Sequence, residues 1–192
     1  MKILKSEQYI NEKLAIQPVT KDRLSKFKEE PSVDENTRRF IEENNLVWNP
    51  KKMCYDCEGD VIVSDDIVAG GKLKIRFGNV GSDFDCSYNE LTTLEGAPQE
   101  VGGDFDCKCN KLTTLEGAPN KVGRDFHCSH NELTTLEGAP QEVGEDFYCS
   151  YNELTSLEGA PQKVGGDFYC SNISNLVLPK EKPSWLNGKI IS

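Results

Sequence analysis

The residues of this chain best suited to chemistry are eight cysteines and two histidines. Cys54 and Cys57 form a single CxxC motif, which supplies half of a tetrahedral zinc site, and no second pair or paired histidine lies nearby in sequence. The motif precedes a predicted strand and does not open a helix, so it lacks the context of a thioredoxin-like redox site. The sequence therefore favours neither metal nor redox chemistry at this motif.

A second group of candidates is formed by Asp106, Cys109, His127 and His130. Asp106 should lie beside His127, and Cys109 beside His130, in adjacent repeats. The two pairs sit three residues apart along a strand, which is roughly 10 Å when extended and too long for one zinc ion or one nucleophile and its base. There is also no Gly-rich phosphate loop. We therefore predict no enzymatic activity, no bound metal and no cofactor.

The second group of candidates lies within four tandem copies of a 21-residue unit, which fill residues 80–163. A fifth copy begins at Val164. Each copy reads V-G-x-D-F-x-C-x-x-N-x-L-x-x-L-E-G-A-P with two further residues. A period this short holds one strand and one return turn, so a single copy cannot bury its own apolar face and must stack on its neighbours. The repeats predict a β-rich solenoid with one short strand per 21-residue rung and an extended return side.

The flanking segments differ from the repeats in composition. The sequence predicts four parts: a helical or extended N-terminal segment over 1–52, an N-terminal β cap over 53–79, the repeat solenoid over 80–175 and a C-terminal cap over 176–192. Ser32 to Glu35 matches a capping box for a helix that should end near Asn45, and a second short helix is a candidate over 20–28. Residues 60–64 and 72–77 have strand composition, with a Gly70-Gly71 turn between them.

One column of cysteines repeats with the period of the array. Its members occupy the same place in successive units and should stack as small buried hydrophobes: Cys86, Cys107, Cys128, Cys149 and Cys170. This arrangement indicates reduced cysteines and a reducing compartment. No apolar run approaches the length of a membrane span, and residues 1–10 lack the apolar core of a secretory signal. We predict a cytoplasmic protein without membrane contact.

The charge of the chain is concentrated in the repeats. Residues 80–175 carry 17 acidic and 5 basic side chains, a net charge of −12, whereas the whole chain is at −10. Such a surface repels phosphate backbones, so we predict no direct nucleic-acid binding through the array.

Written from the strand, each unit runs F-x-C-x-x-N-x-L-x-x-L, which resembles the leucine-rich repeat pattern L-x-L-x-x-N-x-L. In this frame the inward positions of one unit are Phe105, Cys107, Asn110, Leu112 and Leu115. The L-T-T-L-E-G-A-P stretch looks like the short class of leucine-rich repeats in bacterial effector proteins, although V-G-x-D-F is one residue longer. The wording of the units is also similar to repeat proteins encoded by tailed phages and prophages. That resemblance implies host interaction or counter-defence, in the cytoplasm of the host bacterium.

Two columns vary from copy to copy. One lies between Phe and Cys, and the other lies two places after Cys; both should point away from the core and line one sheet surface. Aromatic and imidazole groups at such positions are typical of recognition surfaces. We predict that a partner protein binds Tyr88, Asp106, His127, His130, Tyr148, Tyr151 and Tyr169. Neutral drift at exposed positions is the alternative.

A third column is an acidic ladder of aspartates that precede each Phe: Asp83, Asp104, Asp125, Asp146 and Asp167. Neighbouring strands lie about 4.8 Å apart, so these charges repel one another unless something offsets the repulsion. Either each aspartate caps the preceding glycine turn through its own backbone, or the ladder faces a basic partner or a cation.

The sequence thus leads to three functional hypotheses. The first is a non-enzymatic module that binds a partner protein through the strand face of the solenoid. The second is an acidic nucleic-acid mimic that blocks a DNA-binding host protein. The third treats the array as a structural spacer, with the contacts made by residues 1–50.

Overall fold

The computed structural model describes residues 29–192, and the candidate helix over 20–28 lies outside this range. The described chain is a β-solenoid built from rungs of about 21 residues, which confirms the predicted fold class. A single nine-residue helix, α1 (Glu35–Glu43), lies near the N-terminal end of residues 29–192. Among these residues no helix is both long enough and apolar enough to cross a bilayer.

Two seven-stranded sheets run the length of the solenoid. Sheet A contains, in spatial order, β1 (Val47–Asn49), β2 (Cys54–Cys57), β6 (Phe77–Val80), β8 (Glu100–Val101), β10 (Lys121–Val122), β12 (Glu142–Val143) and β14 (Lys163–Val164). Sheet B contains β3 (Val61–Ile62), β7 (Phe84–Asp85), β9 (Phe105–Asp106), β11 (Phe126–His127), β13 (Phe147–Tyr148), β15 (Phe168–Tyr169) and β16 (Ile190–Ile191). The predicted strand at Phe is therefore present, and a second short strand lies where each rung begins.

The strands of successive rungs pair in parallel with a register of one full repeat. Phe105 lies opposite Phe84 and Phe126, and Val122 lies opposite Val101 and Val143. The register places like side chains above one another, so the Phe rings at 84, 105, 126, 147 and 168 stack with centroid distances of 5.6, 5.3, 5.2 and 4.9 Å. All five rings are fully buried. Stacking of rungs is thus what removes the apolar face of each unit from water.

The invariant asparagines join one rung to the next where the strand ends. The Asn131 side chain is buried; its Oδ1 accepts the Leu112 N–H at 3.0 Å, and its Nδ2 donates to the carbonyls of Cys107 and Cys128 at 3.1 and 3.2 Å. Asn110 and Asn152 repeat the pattern. Because each side chain pairs backbone groups of two rungs, this column is structural.

Two glycine columns are dictated by backbone geometry. The glycine of each E-G-A-P turn has a left-handed φ, such as 92° at Gly117. The glycine that follows the valine of each rung is required by the close approach of two backbones instead. A Cβ on Gly123, for example, would lie 2.0 Å from the Gly102 carbonyl oxygen. Successive rungs therefore touch through bare backbone at this corner.

Outside the repeats, residues 54–63 add a further level to both sheets. Strand β2 pairs in parallel with β6, and β3 pairs in parallel with β7. Asp60 Oδ1 accepts the Asp83 N–H at 3.2 Å, the same bond that each repeat aspartate makes to the next rung. Between these strands and β6, β4 (Val68–Ala69) and β5 (Lys72–Leu73) form an antiparallel pair around Gly70-Gly71, where the turn was predicted. The predicted strand over 72–77 is interrupted at residues 74–76.

Helix α1 covers the N-terminal end of the core. Its buried face consists of Thr37, Phe40 and Ile41, and the Phe40 ring packs edge-on against Phe77 at 6.4 Å. The helix is capped by Asp34, whose side chain accepts the Thr37 N–H at 2.9 Å. The predicted capping box at Ser32 was therefore wrong, because the residue adjacent to the first helical turn is the aspartate.

The C-terminal residues form a final level without repeat sequence. Leu186 bridges to Val164, and β16 pairs in parallel with β15. Trp185 lies edge-on against Phe168 at a centroid distance of 5.4 Å, and Leu186 is buried. The last repeat is thereby covered by apolar side chains.

Replacing Asn131 by alanine should lower the free energy of unfolding by about 2–4 kcal/mol, because three buried backbone groups lose their partner. Urea denaturation followed by circular dichroism measures the change. The control is Glu132→Ala at the exposed neighbouring position, which should stay within about 0.5 kcal/mol of the parent. Equal losses in both variants would contradict a structural role for the asparagine column.

Candidate functional site

The outward side of sheet B carries the first variable column. We call it the strand-face row, and its members, in register from rung to rung, are Asp85, Asp106, His127, Tyr148 and Tyr169. Ile62 precedes the row and Ile191 follows it in the same register. All five members are half-buried, while the Phe beside each one points into the core. The alternation expected of a strand therefore places this column outward, as predicted.

The aromatic members of the strand-face row stack on one another. The rings of His127 and Tyr148 have centroids 4.4 Å apart, and those of Tyr148 and Tyr169 lie 4.5 Å apart, with interplanar angles of 5° and 9°. Both faces of the Tyr148 ring are covered by this stacking, and His127 and Tyr169 each have one face covered. The edges and polar tips of the rings remain available to another molecule. The stack also holds each side chain in one orientation.

Polar contacts fix the tips of the same row. The Tyr148 hydroxyl donates to Asp146 Oδ2 at 3.0 Å, and burial together with this neighbouring carboxylate raises the pKa of Tyr148. His127 Nε2 lies 3.9 Å from Asp125 Oδ2. In the preceding rung Asp106 forms a close ion pair with Lys108, which raises the pKa of that ammonium group. The row is therefore acidic at Asp85 and Asp106 and aromatic from His127 onward.

The second variable column does not lie in a strand, which corrects the sequence prediction. We call it the turn row, and its members are Tyr88, Cys109, His130, Tyr151 and Asn172. Their φ angles lie between 54° and 58°, in the left-handed region, because the chain turns sharply after the strand. The spacing carried this signal: the inward Cys and the inward Asn are three residues apart, which a period of two does not allow.

The turn still directs these side chains outward. Tyr88 is 69% exposed and Tyr151 is 49% exposed. His130 stacks on Tyr151 with a centroid distance of 4.2 Å. A hydrogen bond with Cys109 raises the pKa of Tyr88. The turn row thus adds one stacked pair of rings, His130 and Tyr151, and the exposed ring of Tyr88 to the surface.

The acidic ladder has a role in the stacking of the rungs. Asp83 Oδ1 accepts the Asp104 N–H at 2.8 Å, and Asp125 Oδ1 accepts the Asp146 N–H at 2.8 Å. Asp104, Asp146 and Asp167 accept in the same way from the rung that follows them. Of the two alternatives for the ladder, the cap of the preceding glycine turn was wrong, because each Oδ1 reaches the backbone of the next rung. A basic partner or a cation at the ladder stays a prediction. These bonds offset part of the repulsion between the carboxylates.

The cysteines are free thiols, and seven of the eight are buried. Cys57 Sγ donates to the Asn44 carbonyl at 3.4 Å, and burial raises the pKa of Cys54. Within residues 29–192 no three His, Cys, Asp or Glu side chains cluster closely enough to hold a metal ion. Asp106 and His127 are register neighbours, as predicted, but Asp106 is already paired with Lys108.

Comparisons with protein-family models, with curated proteins and with solved structures found no match to this chain. The geometry of the surface rows therefore carries the functional argument.

Alkylation should distinguish Cys109 from the cysteine column. Burial raises the pKa of Cys86, Cys107 and Cys149 well above the ordinary cysteine value of about 8.5, whereas Cys109 is partly exposed. Iodoacetamide treatment of the folded protein, followed by peptide mass mapping, should label Cys109 first and the column only after unfolding in urea. Rapid labelling of Cys107 in the folded chain would contradict the stacked core.

Stability at alkaline pH should depend on Tyr148. Its pKa is raised in the folded state, so below about pH 10, the ordinary tyrosine pKa, its contribution to stability is complete. As the pH rises further, the unfolded chain ionises first and unfolding becomes favoured. The free energy of unfolding of Tyr148→Phe, measured by urea titration, should therefore fall less steeply above that pH than that of the parent. Identical slopes would show that this hydroxyl does not titrate abnormally.

Proposed function

We propose that this protein is a non-enzymatic binding module that recognises a partner protein through the strand-face row and the turn row. The observation that carries the proposal is the pair of aromatic stacks, His127 to Tyr169 and His130 on Tyr151, on the outside of a rigid ladder. None of these rings belongs to the buried core.

The stacks are suited to binding because they are ordered before a partner arrives. Association loses side-chain freedom when mobile groups are immobilised, and rings that already stack lose less of it. Tyrosine also combines a large apolar edge with a hydroxyl, which is why it is enriched where proteins meet. The rows therefore favour a partner with apolar groups and hydrogen-bonding groups side by side.

The acidic half of the surface favours a basic group on the same partner. Asp85 has no basic neighbour within ion-pair distance among the described residues, whereas Asp106 is held by Lys108. The net charge of −12 over residues 80–175 adds a long-range attraction for basic proteins. The partner we propose is thus a protein that places a basic side chain beside an apolar patch.

The sequence pattern of the 21-residue unit suggests a biological setting for this proposal. The pattern of its inward residues, which resembles that of leucine-rich repeats, supports protein recognition. We further propose host interaction or counter-defence in the bacterial cytoplasm, a setting that rests on the wording of the repeat alone. An acidic nucleic-acid mimic remains the competing hypothesis, since it needs only the charge of the array. Salt separates the two, because binding through charge collapses as ionic strength rises, whereas aromatic contacts persist.

The surface can be tested with substitutions that the protein itself already uses. Tyr148→Asp copies Asp106, and Tyr151→Asn copies Asn172, which has the same left-handed φ of 58°. The double variant should bind a partner recovered from a bacterial lysate at least about tenfold more weakly than the parent, since two central aromatic contacts are lost. Titration with the purified partner at two salt concentrations measures the loss, and thermal melting should remain within a few degrees of the parent.

The matched control is Thr134→Asp/Thr155→Asn, which changes two exposed positions outside both sheets. It adds the same charge and should leave the affinity unchanged. Equal affinity of the tyrosine variant and the control would remove both rows from the interface. A chain that lacks residues 1–28 but retains α1 tests the spacer hypothesis, and loss of binding there would assign the contacts to the N-terminal segment.

A further inference from the structure

The outward side of sheet A carries a second regular pattern, which the strand-face row does not share. Its exposed residues in register are Glu100, Lys121, Glu142 and Lys163, which we call the charged row. Acidic and basic groups alternate from rung to rung, which relieves repulsion along the row. The same alternation allows the row to place its charges opposite those of another molecule.

The charged groups of this row form no ion pairs with one another. Among the described residues, the ion pairs closer than 4.0 Å join no two members of the charged row, and none of its members pairs elsewhere. All four side chains end in solvent. The row is therefore a line of charged groups able to meet an external set of opposite charges.

Read from the other end, the charged row has every sign inverted. A second copy placed face to face, related by a twofold axis parallel to the strands, runs its rungs in the opposite order. Glu100 then faces Lys163 of the second copy, and Lys121 faces Glu142. All four contacts join opposite charges, because the axis passes between the rungs of Lys121 and Glu142.

The corner next to the row obeys the same symmetry. In the same four rungs its positions are Gly103, Arg124, Glu145 and Gly166. The same axis places Arg124 opposite Glu145 of the second copy and each glycine opposite a glycine. Arg124 Nε lies 3.8 Å from Glu145 Oε1 within one chain, so the four groups of two copies would form one network. The charged row and the corner positions beside it are thus related to their counterparts by the same twofold axis, which places opposite charges together in both.

Close approach at this face is allowed by the glycine column between them. Gly102, Gly123 and Gly144 are exposed and present only backbone. A groove of about 550 Å³ crosses the N-terminal half of the same face, from Asp56 to Gly123. We propose that the outer face of sheet A is an interface between two copies of this chain, with antiparallel rungs. The proposal does not rest on the proposed function, since the strand-face row lies on sheet B and stays open in both copies.

The contact is governed by charge, so its strength depends on salt. Exposed ion pairs contribute little individually, and the dimer should be weak and lose affinity as ionic strength rises. Sedimentation velocity of the full chain over a concentration series, at low and high salt, should show a monomer–dimer equilibrium. A chain that remains monomeric at every concentration at low salt would overturn the proposal and leave this face to another molecule.

Charge substitutions test the symmetry itself. Lys121→Glu/Lys163→Glu makes the row uniformly acidic, and Glu100→Lys/Glu142→Lys makes it uniformly basic; each residue introduced already occurs in the same column. Each variant alone should have a dimer dissociation constant raised on the order of a hundredfold, since four attractions become repulsions. An equimolar mixture of the two should form a heterodimer at least as tight as the parent dimer.

The control is the fourfold variant in which every sign of the row is exchanged. Its row reads Lys, Glu, Lys, Glu and keeps the inversion symmetry, so it should dimerise like the parent. Circular dichroism melting confirms that each variant is folded. Failure of the mixture to associate, or dimerisation of the uniform rows equal to the parent, would overturn the proposal.

Discussion

The structure depends on the stacking of identical rungs in a register of one full repeat. This register aligns the Phe rings, brings each buried Asn against the backbone of a neighbouring rung and lets each Asp Oδ1 reach the N–H that follows it. A single unit contains all of these groups and can satisfy none of them alone. Packing, side-chain hydrogen bonds and strand pairing are therefore formed together or not at all.

The same register decides what the surface looks like. Because outward residues stack as regularly as inward ones, a side chain on the surface has the residue one repeat away as its neighbour, at about 4.8 Å. Rings in such a row stack, as His127, Tyr148 and Tyr169 do. Carboxylates in such a row repel, and the acidic ladder offsets this through bonds to backbone N–H groups, whereas the charged row alternates its signs. A repeat protein thus converts each column of its sequence into a physical line on its surface.

The ends of the solenoid show how little sequence identity the rung geometry requires. Residues 54–63 and 185–191 lack the repeat motif, yet they pair with the terminal repeats in both sheets. What they keep is an apolar residue at the inward strand position and a group that continues the backbone ladder. Trp185 packs edge-on against Phe168 at one end of the Phe column. At the other end Phe77 packs edge-on against Phe84, and Phe40 packs edge-on against Phe77.

The sequence alone determined the solenoid, the period, the inward columns and the outward direction of the strand-face row, because exact repetition makes packing constraints visible as invariant positions. It also predicted the helix that the structure shows over Glu35–Glu43. Tertiary structure decided the second strand of each rung and the left-handed turn at Tyr88 and Tyr151, because the choice between strand and turn depends on contacts with neighbouring rungs. Tertiary structure also decided where the aspartate side chains point. Sequence spacing suggests that each carboxylate caps a local turn, but it accepts a backbone N–H of the next rung instead.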